Sequence, residues 1–594
     1  MTINQRLEAL RQQLTTNNLD AYIVPSGDPH QSEYVAEHWQ NRVWISGFKG
    51  SMGYAVVTHA DAGVWTDSRY FLQCEQELKD TDFQLQKQKV QGAPEHLTWL
   101  TEQLPKGSRI GCDGAMFSVD QIRNMQKVFG KAGIDLVTDA DLITPIWKNR
   151  PELLGNPIFE HDALFSGRTR KQKLKDIRSK MKENGGDLHL ISTLDDIGWI
   201  LNLRGSDVEC NPVFIAYLVI SKDKCYLFID PSQVPEDLKN VLNNDNVFIK
   251  NYNTISDFLL QLTDKQRIIV DTGNLNFKLF NAIKKAEVIE AETFSSPMKA
   301  IKNKTEMKYI REVMVKDGVA LVKAFRWLEK TLDERPVSEF EMASMIAQYR
   351  SDQPNYFGES FSAIIGYQSN GALNHYHPTH DNCSMIHKEG VLLMDSGGQY
   401  LDGTTDITRT IALSTPTTEQ QYSYTLVLKG HISIATLKFP AGTKGVQMDI
   451  LARMHLWQYG LNYGHGTGHG VGFFMNVHEP PQGIVSGLNS RGTTPHEIGM
   501  LTSNEPGFYK EGEYGIRIEN LVLCVEAEKT DFAQFYKFET VTLFPIDTTL
   551  IHKPLLTSSE KAWFNAYHKR VNQKLSPHLN EEEKAWLSEK CKRI

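Results

Sequence analysis

Apolar residues in the first part of the chain recur at three- and four-residue steps, which predicts an amphipathic helix that starts near Leu7. A short apolar strand follows at residues 21–24, and the same helix–strand pattern returns before a second apolar strand at residues 188–191. Polar residues recur with the apolar ones, in the same order and at one constant offset. The matched sets are Leu7, Leu10, Arg11, Leu14, Asn17 and Asp20, and Leu174, Ile177, Arg178, Met181, Asn184 and Asp187. This ordered agreement predicts two copies of one α/β domain.

A second correspondence, at a shorter offset, supports the duplication and indicates that the copies differ in loop length. Strands are predicted at residues 55–58 and 214–221, and each is followed by a second strand that ends in an aspartate, Asp67 or Asp230. The matched residues are Trp44, Ile45, Gly50 and Ser51, and Trp199, Ile200, Gly205 and Ser206.

Proline and glycine divide the chain further. Residues 144–167 read as a linker between the two copies, and a second junction follows Glu292. Beyond it, apolar residues at helical spacing predict a long helix with Thr305 as its N-cap. The predicted domains are residues 1–150, residues 160–295 as their repeat, and residues 299–594, which end in a polar helical tail from about residue 557. We expect the tail to pack on the third domain or on a partner subunit.

The composition narrows the functional classes. The chain has 594 residues and a formal net charge of -8, which is not the basic footprint of a nucleic-acid-binding protein. The polar N-terminal residues lack the apolar stretch of a secretory signal, and the longest apolar run, residues 213–220, is too short to cross a bilayer. The 7 cysteines are scattered, which supports neither a disulfide framework nor a thiolate zinc site. These features predict a cytoplasmic, multidomain protein without a membrane or nucleic-acid partner.

The stretch at residues 463–479, YGHGTGHGVGFFMNVHE, combines His465, His469 and His478 with alternating glycines. The glycines disfavour a helix, since each costs roughly 1 kcal/mol relative to alanine. In an extended segment, His465 and His469 would lie about 13 Å apart, which is four rises of about 3.3 Å. We therefore expect one of them to bind a metal and the other to bind substrate or support the site, unless the glycines bend the strand. A glycine-rich loop with incidental histidines is the alternative.

Asp395 and Asp406 flank a predicted turn. Residues 391–394 read as a buried strand and residues 405–413 as a returning strand, and an antiparallel hairpin would bring the two carboxylates together. Buried carboxylates repel each other unless a cation lies between them. Taken alone, the two residues are better explained as ordinary aspartates in turns.

Two glutamates complete the set of candidate ligands. Glu505 precedes a Pro-Gly turn in LTSNEPGFY, and Glu519 shares a strand face with Arg517 in GIRIENLVL, a pattern that a solvated face would also produce. Together with His469, the four carboxylates form an oxygen-rich, sulfur-free set that suits hard or borderline divalent ions. Their four negative charges are balanced by two divalent cations, which is the composition of a dimetal hydrolytic centre.

The order Asp395, Asp406, His469, Glu505 and Glu519 resembles the metallopeptidases of the pita-bread fold. The segments MDSGGQYLDGTTDITRT, HGTGHGVG, NVHE, EPGFY and GIRIEN are similar to those of aminopeptidase P in its long, three-domain cytosolic form. WISGFKGS, WTDSRYF and WILNLRGSD extend the resemblance over the two leading domains. The resemblance implies an α/β (α+β) fold with two creatinase-N-like α/β domains before a pita-bread catalytic domain. The filled ligand positions disfavour metal-free relatives such as creatinase.

The resemblance also implies an activity and residue roles. The expected reaction is metal-dependent removal of the N-terminal residue from peptides with proline second, by a metal-bridging hydroxide, in a cytoplasmic homodimer that uses two Mn²⁺ ions, with Co²⁺, Zn²⁺ or Fe²⁺ possible. The expected metal ligands are Asp395, Asp406, His469, Glu505 and Glu519. Glu505, His375, His465, His478 and Arg517 are the expected catalytic residues, with Arg517 orienting Glu505 or Asp406. His375, His465, His478 and Trp457 are the expected substrate-binding residues.

Three alternatives belong to other classes. Prolidase shares the dimetal ligands but cleaves only Xaa-Pro dipeptides, and methionine aminopeptidase normally lacks both leading domains. The fold could also serve as a protein-binding module, which the complete ligand set disfavours.

Overall fold

The computed structural model describes residues 1–89, 93–153 and 155–594. They form two units: Met1–His161 with Arg168–Ser295, and Asp162–Gly167 with Ser296–Ile594. Residue 154 of the predicted linker lies outside the described residues. The domain bounds expected from the sequence remain a prediction.

The first half of the first unit is a six-stranded sheet in the order β4-β3-β2-β1-β5-β6, in which β1 pairs antiparallel with β2 and parallel with β5. Its strands are β1 (Ala21–Pro25), β2 (Tyr54–Thr58), β3 (Ala62–Thr66), β4 (Gln84–Lys87), β5 (Arg109–Gly111) and β6 (Asp135–Val137). Its helices are α1 (Ile3–Thr16), α2 (Asn41–Ser46), α3 (Phe71–Glu77), α4 (Glu95–Gln103) and α5 (Val119–Ala132).

The second half repeats this arrangement. Its six-stranded sheet has the order β12-β11-β10-β8-β13-β14, and the short strands β7 and β9 pair separately. The strands are β7 (Phe159–Glu160), β8 (Leu188–Ile191), β9 (Leu203–Arg204), β10 (Tyr217–Ser221), β11 (Cys225–Ile229), β12 (Val247–Asn251), β13 (Arg267–Val270) and β14 (Glu287–Glu290). The helices of this stretch are α6 (Ala163–Ser166), which belongs to the second unit, α7 (Arg170–Glu183), α8 (Leu194–Leu201), α9 (Glu236–Asn244), α10 (Ile255–Leu260) and α11 (Phe277–Phe280).

The polar residues of the repeat make the same hydrogen bonds in both copies. An arginine on the first helix donates to the carbonyl at the end of the antiparallel neighbour strand, and the aspartate before the central strand accepts from a backbone N–H of the parallel neighbour. The pairs are Arg11 with Thr58 (3.2 Å) and Arg178 with Ser221 (2.9 Å), and Asp20 with Arg109 (2.7 Å) and Asp187 with Arg267 (3.0 Å). The duplication expected from the sequence is therefore confirmed at the level of strand order and of individual contacts.

One predicted strand is shorter than expected. The apolar run from residue 214 enters the sheet only at Tyr217, because the N–H of Ile215 is taken by the Asp207 carboxylate at 2.9 Å instead of by a neighbouring strand. The aspartates Asp67 and Asp230 directly follow β3 and β11, as the sequence predicts.

The long helix of the second unit begins earlier than predicted. Asn303, and not Thr305, is its N-cap: the Asn303 side chain accepts from the N–H groups of Thr305 and Glu306, and Glu306 returns a bond to the Asn303 N–H. Thr305 is already inside the first turn, so its hydroxyl has no capping role. The helices of the unit are α12 (Ser295–Ala300), α13 (Lys304–Leu332), α14 (Glu339–Ser351), α15 (Thr418–Ala435), α16 (Gly445–Trp457), α17 (Ser490–Thr493), α18 (Ser558–Leu575) and α19 (Glu581–Lys590).

The strands of the second unit form several small sheets around one six-stranded sheet with the order β23-β30-β29-β26-β24-β25, and the sheets that bear on the site are β17-β19-β22 and the hairpin β27-β28. The strands are β15 (Val337–Ser338), β16 (Tyr356–Glu359), β17 (Ile364–Tyr367), β18 (Met385–Ile386), β19 (Val391–Ser396), β20 (Gly398–Tyr400), β21 (Gly403–Thr404), β22 (Ile407–Ala412), β23 (Lys438–Pro440), β24 (Gly468–Gly470), β25 (Glu479–Ile484), β26 (Leu501–Asn504), β27 (Gly507–Lys510), β28 (Tyr514–Arg517), β29 (Asn520–Lys529) and β30 (Gln534–Thr540).

The polar tail packs on its own unit. Phe564, Val571 and Leu587 from α18 and α19 are buried in the same core as α13, and the Tyr567 hydroxyl accepts a hydrogen bond from Arg409 at 3.0 Å. The tail therefore completes the core of the second unit.

Gly468 occupies a position where two strands come too close for a side chain. A Cβ at this residue would lie 2.0 Å from the Ser503 carbonyl oxygen of β26. The glycine-rich composition of this stretch thus serves strand packing, and β24 is seated directly against β26.

Replacing the N-cap tests the corrected start of α13. Asn303→Ala should lower the free energy of unfolding by about 1 kcal/mol, because two backbone N–H groups lose their acceptor. Thr305→Ala, at the cap position expected from the sequence, should change it by less than about 0.5 kcal/mol. Urea denaturation of the two variants measures this difference, and equal effects would contradict the assignment.

Gly468→Ala should destabilise the protein by about 3 kcal/mol, the upper range for overpacking, because the new methyl group meets a backbone atom that cannot turn away. Gly358→Ala is the matched control in the same unit, since a Cβ at Gly358 has no neighbour within 4 Å and its φ is not left-handed. Thermal unfolding of both variants checks this. A Gly468→Ala protein as stable as the control would show that β24 and β26 do not approach this closely.

Candidate metal centre

Two aspartates meet on adjacent strands of the second unit. Strands β19 and β22 are antiparallel with Asp395 opposite Thr408, and Asp406 lies two residues before Thr408, so both carboxylates point to the same side. Both are buried, at 7% and 4% exposure. The hairpin expected from the sequence is confirmed, although the returning strand covers only Ile407–Ala412.

His469, Glu505 and Glu519 come to the same place from the six-stranded sheet. His469 lies on β24, Glu505 directly follows β26, and Glu519 lies in the short break between β28 and β29. The His469 Nε2 atom is 3.4 Å from Asp406 Oδ2 and 3.6 Å from Glu505 Oε1. Asp406, His469 and Glu519 each offer a ligand atom, and these atoms lie within 4.8 Å of one another.

Burial and the nearby negative charges raise the pKa of three of these carboxylates. Burial, and next the negative charge of Asp395, raise the pKa of Asp406 to about 8. Burial and the Asp406 charge raise the pKa of Glu519 well above its ordinary value, and burial raises the pKa of Glu505 although His469 and Arg517 oppose the shift. Such a cluster ionises fully only when positive charge is added to it.

Arg517 supplies part of that positive charge. Its Nη2 donates to Asp395 Oδ2 at 2.6 Å, and its own burial is outweighed by Tyr509, Asp395 and Glu505, which raise the pKa of Arg517 well above its usual value. The sequence reasoning expected this arginine to orient Glu505 or Asp406. The carboxylate to which its side chain donates is Asp395 instead, because the hairpin β27-β28 brings Arg517 toward the β19-β22 pair.

The residues fit a bound divalent cation. The remaining oxygen of Asp395, Oδ1, is buried, and no hydrogen-bond donor among the described residues reaches it. A buried carboxylate oxygen without a donor is costly unless a cation binds it. This orphaned oxygen, the donor set of Asp406, His469 and Glu519, and the excess of negative charge all favour hard or borderline metal ions.

The other two histidines of the glycine-rich stretch flank the cluster. His465 Nδ1 is 3.9 Å from Glu505 Oε2, and its Nε2 is 2.8 Å from the Tyr509 hydroxyl. The His478 ring stands edge-on to the His469 ring, with centroids 4.3 Å apart. The estimate of 13 Å between His465 and His469 assumed a continuous strand and does not apply, because β24 covers only Gly468–Gly470 and the chain bends before it.

His375 and Trp457 are placed differently. His375 lies on the loop between β17 and β18, directly after Asn374, whose carbonyl accepts from Arg517 Nη2 at 3.5 Å. Trp457 ends α16 and is 47% exposed, and its indole N–H donates to the Asn462 side chain at 3.1 Å, not to one of the five predicted ligands.

Three hydroxyl groups of the site were not singled out from the sequence. The Tyr509 hydroxyl lies between His465 Nε2 and Arg517 Nη1, 2.6 Å from the latter. Thr408 donates to Glu519 at 2.8 Å, and Ser503 donates to Glu505 at 3.2 Å. Alternation along the strands could have located Thr408 opposite Asp395, whereas the bridge made by Tyr509 depends on the register of the β27-β28 hairpin.

Family models match nearly the whole chain. Residues 6–144 and 149–306 match creatinase/prolidase N-terminal domains, residues 308–526 match metallopeptidase family M24, and residues 534–594 match the C-terminal region of peptidase M24. The two N-terminal matches coincide with the two halves of the duplicated unit.

Several relatives are similar over the full length. A Coprinopsis cinerea protein named Probable Xaa-Pro aminopeptidase P is 40% identical, with 98% of this chain and 97% of the relative covered. Xaa-Pro aminopeptidase 1 of Dictyostelium discoideum is 38% identical, with 100% and 97% covered. The crystal structure of X-prolyl aminopeptidase from Caenorhabditis elegans, described as a cytosolic enzyme with a di-nuclear active site, matches with a TM-score of 0.96 and 34% identity over 100% of both chains. The buried carboxylate–histidine cluster, the duplicated N-terminal unit and this full-length similarity place the chain in the Xaa-Pro aminopeptidase (aminopeptidase P) group of metallopeptidase family M24.

Proposed function

We propose that this chain removes the N-terminal residue from peptides whose second residue is proline, in a reaction that depends on two divalent cations. The observation that carries the proposal is the buried cluster of Asp395, Asp406, His469, Glu505 and Glu519 in a chain that is similar over its whole length to Xaa-Pro aminopeptidases. Because proline lacks an N–H and fixes φ, sites shaped for ordinary peptide bonds bind the bond before proline poorly.

These five residues would hold the two cations. Four carboxylates and one imidazole balance two divalent charges, and the oxygen-rich set suits Mn²⁺, while Co²⁺, Zn²⁺ or Fe²⁺ also accept these donors. When bound, the ions would polarise the scissile carbonyl and lower the pKa of water.

Glu505 is the group placed to move the proton. Its Oε1 accepts from Ser503, its Oε2 faces His465, and burial raises its pKa toward the range in which a carboxylate can both take up and release a proton. We assign it the role of accepting a proton from the attacking water and returning it to the proline nitrogen, which is a poor leaving group until protonated.

The histidines would hold the substrate around this group. Either His375 or His478 stabilises the developing negative charge on the carbonyl oxygen, and His465 holds the proline side of the peptide. Trp457 borders the substrate pocket. Arg517 acts through Asp395, since its guanidinium fixes one oxygen of that carboxylate and leaves the other for a cation.

The proposal also covers the cellular location, the oligomeric state and the partners of the protein. The Caenorhabditis elegans relative is described as cytosolic, which supports a cytoplasmic location, and the family resemblance supports a homodimer. The helices in the described part of the chain include none that is long and apolar enough to cross a membrane. We propose peptides as the partners, without nucleic acid or membrane.

Two other functions use the same fold. Prolidase activity would be restricted to Xaa-Pro dipeptides, and a binding module would need no metal. The full-length similarity to Xaa-Pro aminopeptidases favours cleavage of longer peptides over the first, and the orphaned Asp395 oxygen favours a metal enzyme over the second.

Peptide cleavage after removal and restoration of metal tests the function directly. The chelated protein should lose release of the N-terminal residue from an Xaa-Pro-Xaa tripeptide, and Mn²⁺ should restore it. An Xaa-Ala-Xaa tripeptide is the control and should be cleaved at least about 100-fold more slowly, because its second residue lacks the fixed φ that the site recognises.

The outcomes separate the alternatives. Cleavage of an Xaa-Pro dipeptide alone would identify a prolidase. Turnover of neither peptide, with metal present by elemental analysis, would reject the proposed function.

Removing the metal should also change how stability depends on pH. A buried carboxyl with a folded pKa of about 8, as for Asp406, stabilises the fold fully below its ordinary pKa of about 4, and that contribution is lost as the pH rises through 8. The thermal midpoint of the chelated protein should therefore fall from pH 6 to pH 8.5 more steeply than that of the Mn²⁺-loaded protein. Asp406→Asn should flatten the chelated profile, and parallel profiles for the chelated and loaded proteins would contradict the proposed cation site.

A further inference from the structure

A buried ion pair on α16 faces the glycine-rich stretch from outside the metal cluster. Asp449 and Arg453 lie one helical turn apart and are 2% and 4% exposed. Arg453 Nε donates to Asp449 Oδ2 at 2.6 Å. A buried ion pair of this kind is weak evidence for stability, because desolvation of the two charges offsets most of their attraction. Its remaining contacts therefore indicate what it contributes.

The rest of the guanidinium binds the backbone around His465. Arg453 Nη1 donates to the Tyr463 carbonyl at 2.8 Å, and Nη2 donates to the carbonyl of His465 itself at 2.6 Å. The guanidinium carbon also lies 3.9 Å from the centroid of the Tyr463 ring, within cation–π distance. The planar guanidinium of Arg453 therefore holds the backbone on both sides of residue 464, at Tyr463 and at His465.

Asp449 extends the connection to Glu505. Its second oxygen accepts from the Thr467 hydroxyl at 2.6 Å, and the Thr467 carbonyl accepts the Glu505 backbone N–H at 2.8 Å. The pair therefore ties together the backbone of His465 and that of Glu505, whose side chains face each other at 3.9 Å.

The same arginine also reaches the exposed end of α16. Arg453 Nη1 is 3.2 Å from Asn462 Oδ1, the atom that accepts the Trp457 indole N–H. The turn that carries Trp457 is therefore linked to the same guanidinium.

We propose that Asp449 and Arg453 are positioning residues for the proposed reaction: they hold His465 against Glu505 and fix the turn that carries Trp457, without touching substrate or metal. This inference rests on the proposed function. Because His465 and Trp457 are assigned to substrate, and the Glu505 carboxylate is held by the Ser503 hydroxyl and not by the pair, the pair governs substrate binding more than the chemical step.

Arg453→Lys is the decisive variant. Lysine keeps the charge opposite Asp449, but its three N–H donors share one nitrogen and cannot reproduce the planar fork whose two nitrogens reach the two carbonyls. The KM for an Xaa-Pro-Xaa tripeptide should rise about tenfold, the kcat should fall less than about threefold, and the metal content should stay unchanged, since β25 and β26 hold the strand of His469. Hydrogen exchange in a peptide covering residues 461–468 should become at least about tenfold faster.

Arg170→Lys is the matched control. Arg170 is equally buried in the first unit, and its hydrogen bonds go to Glu160, Asp245 and the Leu201 carbonyl. Arg170→Lys should lower the thermal midpoint, because hydrogen bonds of a buried guanidinium are lost. It should leave unchanged both the KM and the hydrogen exchange of residues 461–468. Should Arg453→Lys fail to fold, Thr467→Val leaves the guanidinium in place and removes the hydroxyl that donates to Asp449 and pairs with the Tyr463 hydroxyl. It should shift the KM and the exchange in the same direction.

The readouts distinguish failure of the inference from failure of the function. Faster exchange of the loop with an unchanged KM would show a purely structural pair and overturn the proposal, as would unchanged exchange. If the wild-type protein cleaves no Xaa-Pro peptide, the proposed function is rejected and with it the positioning role. Equal KM changes in Arg453→Lys and Arg170→Lys would also overturn the proposal, because a general loss of stability would then explain both.

Discussion

The concentration of negative charge in one buried place is the constraint on which the second unit depends. Asp395, Asp406, Glu505 and Glu519 lie so close together that burial and mutual repulsion raise the pKa of three of them, and the Arg517 guanidinium donates to the fourth, Asp395. Such an arrangement has a high free energy unless cations enter it. The fold keeps the carboxylates together nonetheless, because Asp395 lies on β19 and the other three directly adjoin the ends of β22, β26 and β29, whose ladders and cores are stable for other reasons.

Rigid backbone supports every member of the cluster. β24 is seated so closely on β26 that Gly468 tolerates no side chain, and the β27-β28 hairpin brings Arg517 to Asp395 and Tyr509 to His465. Hydrogen bonds from the hydroxyl groups of Thr408 and Ser503 orient the glutamates. Around this layer, the ion pair on α16 reaches the backbone of the histidine loop. Substrate-facing groups held in this way lose little conformational entropy when a peptide binds, which is the advantage of preorganisation.

The first unit shows how a duplicated sequence retains specific polar contacts. Arg11 and Arg178 bind the ends of equivalent strands, and Asp20 and Asp187 accept equivalent backbone N–H groups, although most side chains around them differ. These bonds satisfy backbone groups at the ends of strands. That requirement explains why the polar members of the repeat are as recognisable as the apolar ones.

The sequence by itself determined the α/β repeat, the long helix, the hairpin of Asp395 and Asp406 and the set of candidate ligands, because apolar periodicity, turn residues and the motif order are local properties of the chain. It misplaced the N-cap of α13, where Asn303 accepts the N–H groups of Thr305 and Glu306. It also overextended the strand before Tyr217, where the distant Asp207 carboxylate takes the N–H of Ile215. Only the tertiary structure decided that Arg517 binds Asp395, that Tyr509 bridges His465 and Arg517, and that Arg453 binds the His465 loop. These contacts join residues from elements that are separate in sequence, and their geometry follows from strand register and helix packing, which no local pattern encodes.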